Sequence, residues 1–332
     1  MMKVRFAPSP TGSLHVGNAL SAVANRRFGD WMLLRIDDTD PARNVPGGEE
    51  AILRDLEWLE VAWDEGPVRQ SERQDRYREA AAPLGDRFEG TTLLREDGSA
   101  TYQLATVVDD ADFGITHVIR GNDHRPNEPL HRRLHEALGT RAPEYLHHGL
   151  ILGEDGRKLS KRAPGATIES LREAGIPAEA VRSYLEELGM PAHDVHYDLA
   201  RIRRFSTEAI GAMSDEELAA RVGAPPSLVP VLRGARDLVE ARDYAESVTT
   251  APERVAVWSP ETLTRFRELR ERANGGLTPD DARAIVRELK AVGGDLKQLR
   301  TALTGRERGP ELWAVLAALP REEALRRVDA AL

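Results

Sequence analysis

The N-terminal stretch places the narrowest limits on what this chain can become. Residues 3–8, Lys-Val-Arg-Phe-Ala-Pro, read as a short strand that runs into the turn Ser9-Pro10-Thr11-Gly12 and then an alanine-rich helix from about 15 to 27. A strand, a tight loop and a helix start together form a phosphate-sized niche, because the first N–H groups of a helix have no partner within it. Trp31 to Ile36 reads as a second strand ending in the acidic turn Asp37-Asp38-Thr39-Asp40, and Glu49–Glu60 has helical periodicity. Strands that alternate with helices in this way imply a parallel sheet, so the fold class is α/β. Val107-Val108 and then Ile115 to Arg120 read as further strand, followed by a helix through His131–Leu138.

After about residue 195 the pattern changes to charged, alanine- and leucine-rich helices broken at Pro225-Pro226, Ser259-Pro260, Asn274-Gly275-Gly276 and Gly293-Gly294. This half is expected to be all-helical, with two subdomains meeting near 255–260. Cysteine is absent, which excludes disulfides, thiolate zinc sites and a thiol nucleophile. The N-terminus has no apolar signal core and no stretch approaches the roughly 20 apolar residues of a membrane span, so a cytoplasmic protein without a membrane partner is expected. A net charge of -9 is the wrong sign for binding nucleic acid through bulk charge. RNA binding would need local basic surfaces such as Arg201, Arg203 and Arg204, or Arg265, Arg267, Arg270 and Arg272; otherwise these arginines solvate helix faces.

Two stretches carry chemistry. His15-Val16-Gly17-Asn18 opens the first helix, which brings backbone N–H groups and an imidazole to one spot where a triphosphate fits, while Gly17 lets a flat base approach the backbone. About 140 residues later Lys158-Leu159-Ser160-Lys161-Arg162 supplies mobile cations suited to charge building on departing pyrophosphate.

These stretches, with others in order, resemble the bacterial glutamyl-tRNA synthetases, class I aminoacyl-tRNA synthetases that include the shorter glutamyl-queuosine enzymes. The matching segments are Arg5–Gly12 with His15–Asn18, Leu34–Asp40 with Arg43, and Asp64–Pro67 with Gln70–Arg73. They continue through Thr101–Leu104, Val107–Asp110, Gly114–Gly121 and the Lys158–Arg162 loop. The resemblance implies a Rossmann-like parallel sheet followed by an all-α C-terminal region. It also implies an ATP-dependent ligase that forms glutamyl-adenylate and passes glutamate to the 3′ end of a tRNA, glutamate tRNA being the expected partner. By the same likeness ATP, with Mg2+, is held by Pro8, His15, Gly17, Asn18, Lys158, Leu159, Ser160 and Lys161, of which His15, Lys158 and Lys161 are catalytic. Glutamate is held by Arg5, Ser9, Asp37, Tyr102 and Arg120, with Arg5 or Arg120 taking the γ-carboxylate and Asp37 the α-ammonium.

The chain departs from the family in three places. Asp37 and Asn122 stand where the family usually has glutamate. Only about 30 residues separate Arg73 from Tyr102, where the family inserts a domain gripping the tRNA acceptor end, and without cysteine no zinc is expected in it. The C-terminal half is short but keeps Leu299-Arg300, Ala302–Gly305, Pro310 and Glu323–Arg327, a region that the queuosine enzymes lack. The expected organisation is a catalytic domain over 1–160 with a reduced insertion at about 74–101. A linking, stem-contacting helical region over 161–255 and an anticodon-binding-like domain over 256–332 follow, the whole being a monomer. Three readings stand beside the preferred one: a glutamyl-queuosine-type enzyme, an adenylating ligase with a non-tRNA acceptor, and an inactive RNA-binding paralogue.

Overall fold

The computed structural model describes residues 1–160, 162–253 and 255–332, and these divide into two units. The first comprises 1–173 and 178–202, the second 174–177 and 203–332. No helix among the described residues is long and apolar enough to cross a membrane.

The first unit is built on parallel strands. Strand β1 (Lys3–Phe6) leads through the Pro8–Gly12 turn into helix α1 (Val16–Phe28), and β2 (Trp31–Ile36) pairs with β1 in parallel, Lys3 opposite Trp31 and Phe6 opposite Leu34. Helix α2 (Gly48–Trp58) returns the chain to β3 (Glu65–Arg69) on the far side of β2. Met32, Leu33, Leu34 and Ile36 are all fully buried, as expected of a parallel strand covered on both faces. The odd residue in that apolar run is Arg35, also fully buried.

The segment between Arg73 and Tyr102 holds helix α3 (Gln74–Ala81) and a small hairpin of β4 (Arg87–Phe88) and β5 (Thr91–Thr92). It packs Tyr77, Ala81 and Leu93 against helix α4 (Tyr102–Asp112). The Val107-Val108 pair therefore lies in a helix, not a strand. Their β-branched side chains sit in an apolar core with Leu104 and Leu134, and this packing outweighs the local preference. Strand β6 (His117–Gly121) follows, then helix α5 (Glu128–Ala137) and β7 (Glu144–His148), parallel to β6 with Gly121 opposite His148.

Strands β1, β2 and β3 form one sheet and β6 and β7 another. The Thr116 N–H donates to the Lys3 carbonyl at 2.9 Å, which ties the start of β1 to the residue before β6. Consecutive βα units therefore run outward in opposite directions from the β1/β6 boundary. In such folds ligands bind at that reversal, beyond the carboxyl ends of the strands.

Beyond β7 the chain turns at Gly149 into β8 (Ile151–Leu152), which pairs with β9 (Val195–His196). The returning limb of the next loop is pinned, since Lys158 bridges Leu152 and the Leu159 N–H donates to the Ile151 carbonyl at 3.1 Å. Further on, the Val16 N–H at the head of α1 donates to the Ala166 carbonyl at 2.9 Å, so both ends of the 158–166 segment are anchored. Helix α6 (Ile168–Glu173) and helix α7 (Ala178–Leu188) follow.

The second unit is helical, and its helices share one apolar core running from Ile210 to Ala331. Leu232 and Tyr244, before the 255–260 break, belong to the same core as Leu263 and Phe266 after it. Several of its ends are well capped: Thr278 and Asp281 form a reciprocal capping box, and Gly305 closes the Leu296–Thr304 helix at φ +72. The arginines of this half are largely committed to the fold. Arg270 is fully buried and donates to the carbonyls of Ala273 and Gly275, Arg265 pairs with Glu268 and Glu288, and Arg267 with Glu271 and Asp329. In the first unit Arg201 pairs with Glu187, and in the second Arg204 pairs with Glu208.

Gly149 is the tightest point of the β7–β8 turn, because a Cβ there would lie 1.9 Å from the His193 carbonyl oxygen, a backbone atom that cannot rotate away. Gly149→Ala is expected to destabilise the protein by about 1–3 kcal/mol or more, as an overpacked core does. A urea midpoint equal to that of the unaltered chain would contradict this.

Candidate active site

A cavity of about 660 Å³ opens at the β1/β6 boundary, walled by residues that follow or end β1, β2, β6 and β7 and by the first turns of α1. Of the residues singled out from sequence, Arg5, Ser9, Asp37, Tyr102 and Arg120 line it. So do Pro8, His15, Gly17, Asn18, Lys158 and Leu159. Ser160 is exposed and does not line the cavity; its hydroxyl accepts from the Arg162 N–H at 3.2 Å within the loop. Lys161 lies outside the described residues.

One half of the cavity is organised by buried charge. The Arg35 guanidinium holds Asp37 with two bonds, Nε to Oδ1 at 2.6 Å and a terminal nitrogen to Oδ2 at 3.2 Å, and reaches Asp110 at 3.0 Å. Asp110 also accepts from Arg5 Nε at 3.3 Å. Burial raises the Asp37 pKa in spite of Arg35. For Asp110 burial acts the same way, but Arg5 and Arg35 outweigh it and hold the carboxyl below its ordinary value. Tyr77 and Arg73, from the short segment before Tyr102, grip the neighbouring Asp109 at 2.9 and 2.8 Å.

Arg120 is held differently. Its Nε donates to His147 Nε2 at 3.3 Å and its guanidinium lies 5.0 Å from the Tyr145 ring centre, yet both terminal nitrogens are buried with no hydrogen-bond partner. Burial, and then repulsion from Arg5, push its pKa below the usual arginine value. Two arginines side by side, one with its fork of donors unmet at a cavity wall, make a receptor for a carboxylate. Histidines around them stay neutral. Burial and then Arg120 push His131 down to about 3 and His147 to about 4. Tyr102 sits beside this group, its ring 6.2 Å from that of His124 and 5.9 Å from that of His131.

The other half of the cavity is less charged. His15 caps α1, its Nδ1 accepting from the Gly17 N–H at 3.2 Å. Gly17, Asn18 and Ser21 continue along α1 into the wall. Asp55 of α2 holds the turn ahead of α1 through the Ser13 hydroxyl and the Leu14 N–H, each at 2.7 Å. At the mouth Lys158 pairs with Asp123 at 2.5 Å. Among the described residues no group of three or more histidines, aspartates and glutamates is arranged to hold a metal ion.

Arg35, Asp110, His147, Ser21 and His148 were not singled out by sequence reasoning. A signal existed for part of this set: Tyr102, Thr106, Asp109 and Asp110 fall at helical spacing and share the face of α4 that meets Arg35.

Residues 1–87 and 85–210 match the family model of the class I tRNA synthetases (E and Q), catalytic domain, and the chain belongs to that family. It is 33% identical to glutamate–tRNA ligase 1 of Rubrobacter xylanophilus over 423 residues, covering 99% of this chain and 97% of that one. With the glutamate–tRNA ligase of Akkermansia muciniphila it shares 31% identity over 429 residues, covering 99% and 98%. Both alignments run longer than the 332 residues of this chain, so these relatives carry stretches that it does without. A solved glutamate tRNA ligase from Elizabethkingia meningosepticum, in complex with its amino acid, has the same fold, with a TM-score of 0.78 at 24% identity over 99% of this chain and 98% of that one.

The buried neutral histidines give the fold a pH dependence. His131, depressed from 6.5 to about 3, binds a proton in the unfolded chain at pH values where the folded site refuses it. Its contribution to stability is complete above pH 6.5 and falls away as the pH drops toward 3. Denaturant titrations across this window are expected to show stability declining with pH, and His131→Gln to flatten the decline. An unchanged slope in the variant would remove His131 from the account.

Proposed function

We propose that the protein is a glutamate–tRNA ligase: it condenses glutamate with ATP to glutamyl-adenylate and passes the glutamyl group to the 3′ end of a tRNA. The observation that carries this reading is Arg120, whose buried terminal nitrogens have no partner beside Arg5 at the cavity wall. A γ-carboxylate satisfies that fork with two parallel bonds, whereas glutamine's amide would set N–H groups against N–H groups. Asp37, fixed by Arg35, receives the α-ammonium, with Ser9 and Tyr102 completing the amino-acid half.

In the first step an α-carboxylate oxygen attacks the α-phosphorus of ATP. The bond to the bridging oxygen of the β-phosphate breaks, and pyrophosphate leaves with the electron pair. ATP enters with its Mg2+, its phosphates over the start of α1 near His15 and Gly17. Lys158 exchanges its exposed pairing with Asp123 for the phosphates, joined by Lys161. In the second step a terminal ribose hydroxyl of the tRNA attacks the adenylate carbonyl and AMP leaves. No side chain acts as a nucleophile; the protein positions and compensates charge. We assign the anticodon arm to the C-terminal helical residues, and the acceptor end to the mouth of the cavity near the reduced segment at 74–101. The core shared across 255–260 makes 203–332 the unit that would carry the anticodon contact.

The direct test is aminoacylation of purified total tRNA with labelled glutamate, glutamine and aspartate, followed by identification of the charged species. Glutamate alone is expected to be transferred, since aspartate is one methylene too short to span Asp37 and Arg120. Glutamate activated without transfer to any tRNA would point instead to a different acceptor, and no activation at all to an inactive paralogue. Arg120→Ala is expected to raise the glutamate KM by about 10²-fold or more, and Arg120→Lys to recover little of it, because an ammonium cannot make the paired bonds. An unchanged KM would move the carboxylate site elsewhere.

Lys158→Ala is expected to slow adenylate formation by roughly 10²–10³-fold with little change in glutamate KM, as loss of one preorganised charge stabiliser does. Pre-steady-state measurement of adenylate formation with tRNA present separates the two quantities. A defect confined to the glutamate KM would end the assignment.

A further inference from the structure

His147 and His148 are neighbours on β7 and serve opposite faces of it. His147 meets Arg120 in the amino-acid half, whereas His148 meets Ser21 of α1, with Ser21 Oγ and His148 Nε2 2.8 Å apart. The His148 tautomer follows from its other nitrogen. Nδ1 lies 2.8 Å from the Gly149 carbonyl oxygen, which can only accept, so Nδ1 carries the proton. Nε2 is then a lone pair and Ser21 donates to it. His148 is 2% exposed, and both residues line the cavity.

Gly17 and Ser21 are four residues apart on α1, hence one turn apart on the same face. Apart from its chain neighbours and the helix's own backbone, the one atom among the described residues within 4 Å of the position a Gly17 Cβ would take is His15 Nδ1, at 3.4 Å, so a flat base can lie over this glycine. Its edge would then meet Ser21 and His148.

We infer that Ser21 and His148 form the edge that selects the base of the nucleotide, with His148 Nε2 accepting from the exocyclic 6-amino group of adenine and the Ser21 hydroxyl turning to donate to ring atom N1. A 6-oxo purine sets its oxygen against the Nε2 lone pair, a mismatch that the fixed His148 tautomer cannot relieve, whereas the rotatable Ser21 hydroxyl can accept from its N1–H. The pair therefore favours a 6-amino purine. This inference rests on the reading of the cavity as an ATP site and adds the side chains that read the base.

Nucleotide binding to the full chain, measured by calorimetry without glutamate or tRNA, tests it apart from the ligase reading. ATP, GTP and purine riboside triphosphate, which lacks the 6-amino group, are the probes. The unaltered protein is expected to bind ATP about tenfold or more tightly than either of the others. In His148→Leu that preference should collapse to within about threefold, and in Ser21→Ala the affinity for ATP should fall while some preference over GTP remains. Melting temperature is followed alongside. If His148→Leu folds and keeps the full preference, or if the unaltered protein binds all three alike, the inference is overturned. If His148→Leu does not fold, Ser21→Ala decides, and unchanged ATP affinity in that variant overturns the inference. Failure of glutamate charging with the base preference intact would reject the ligase reading and leave the base edge standing.

Discussion

A guanidinium inside a parallel sheet is costly unless each of its donors finds an acceptor, and the catalytic unit is arranged around meeting that demand for Arg35. Asp37, just past the end of the strand that carries Arg35, takes two of its bonds; Asp110 takes another and passes the constraint to Arg5 on the adjacent strand. The carboxylate and one arginine assigned to the amino acid are thus set by a group that does not line the cavity. Three acids and two arginines, Asp37, Asp109, Asp110, Arg5 and Arg35, share this interior, so losing one strands its partners.

The segment before Tyr102 belongs to the same arrangement. Tyr77 and Arg73 seize Asp109 from outside and fix the helix that carries Asp110. These two side chains of the segment therefore brace the site. The hairpin beyond it is small, and the core it adds is modest, Leu93 being the one residue of 87–93 fully buried there.

Much of this was legible in the sequence. The first strand, turn and helix gave the α/β class, and Trp31–Ile36 was read with its bounds intact because its apolar run is uninterrupted but for one arginine. That arginine was the clue left unused, since a charged residue within a buried strand needs acids nearby. Reading Val107-Val108 as strand hid them. At strand spacing the two acids Asp109 and Asp110 fall on opposite faces, and only at helical spacing do both share a face with Tyr102 and Thr106. The Ser21–His148 pair was beyond reach for another reason: its partners lie 127 residues apart and meet only once the sheet order is known. The arginine groups at 201–204 and 265–272 left two readings open in one dimension, an RNA surface or solvated helix faces; in the fold they are mostly paired with neighbouring acids, and Arg270 with carbonyls.

The alternation of His147 and His148 along β7 ties two side-chain contacts, one to Arg120 and one to Ser21, to one hydrogen-bond ladder. Gly121 opposite His148 and Arg120 opposite His147 define its phase. If β7 shifted by a single residue, every side chain on it would change face. Arg120 would lose its acceptor and Ser21 its imidazole in the same event. A change in one side chain reaches one of these contacts, whereas a change in strand register reaches both at once.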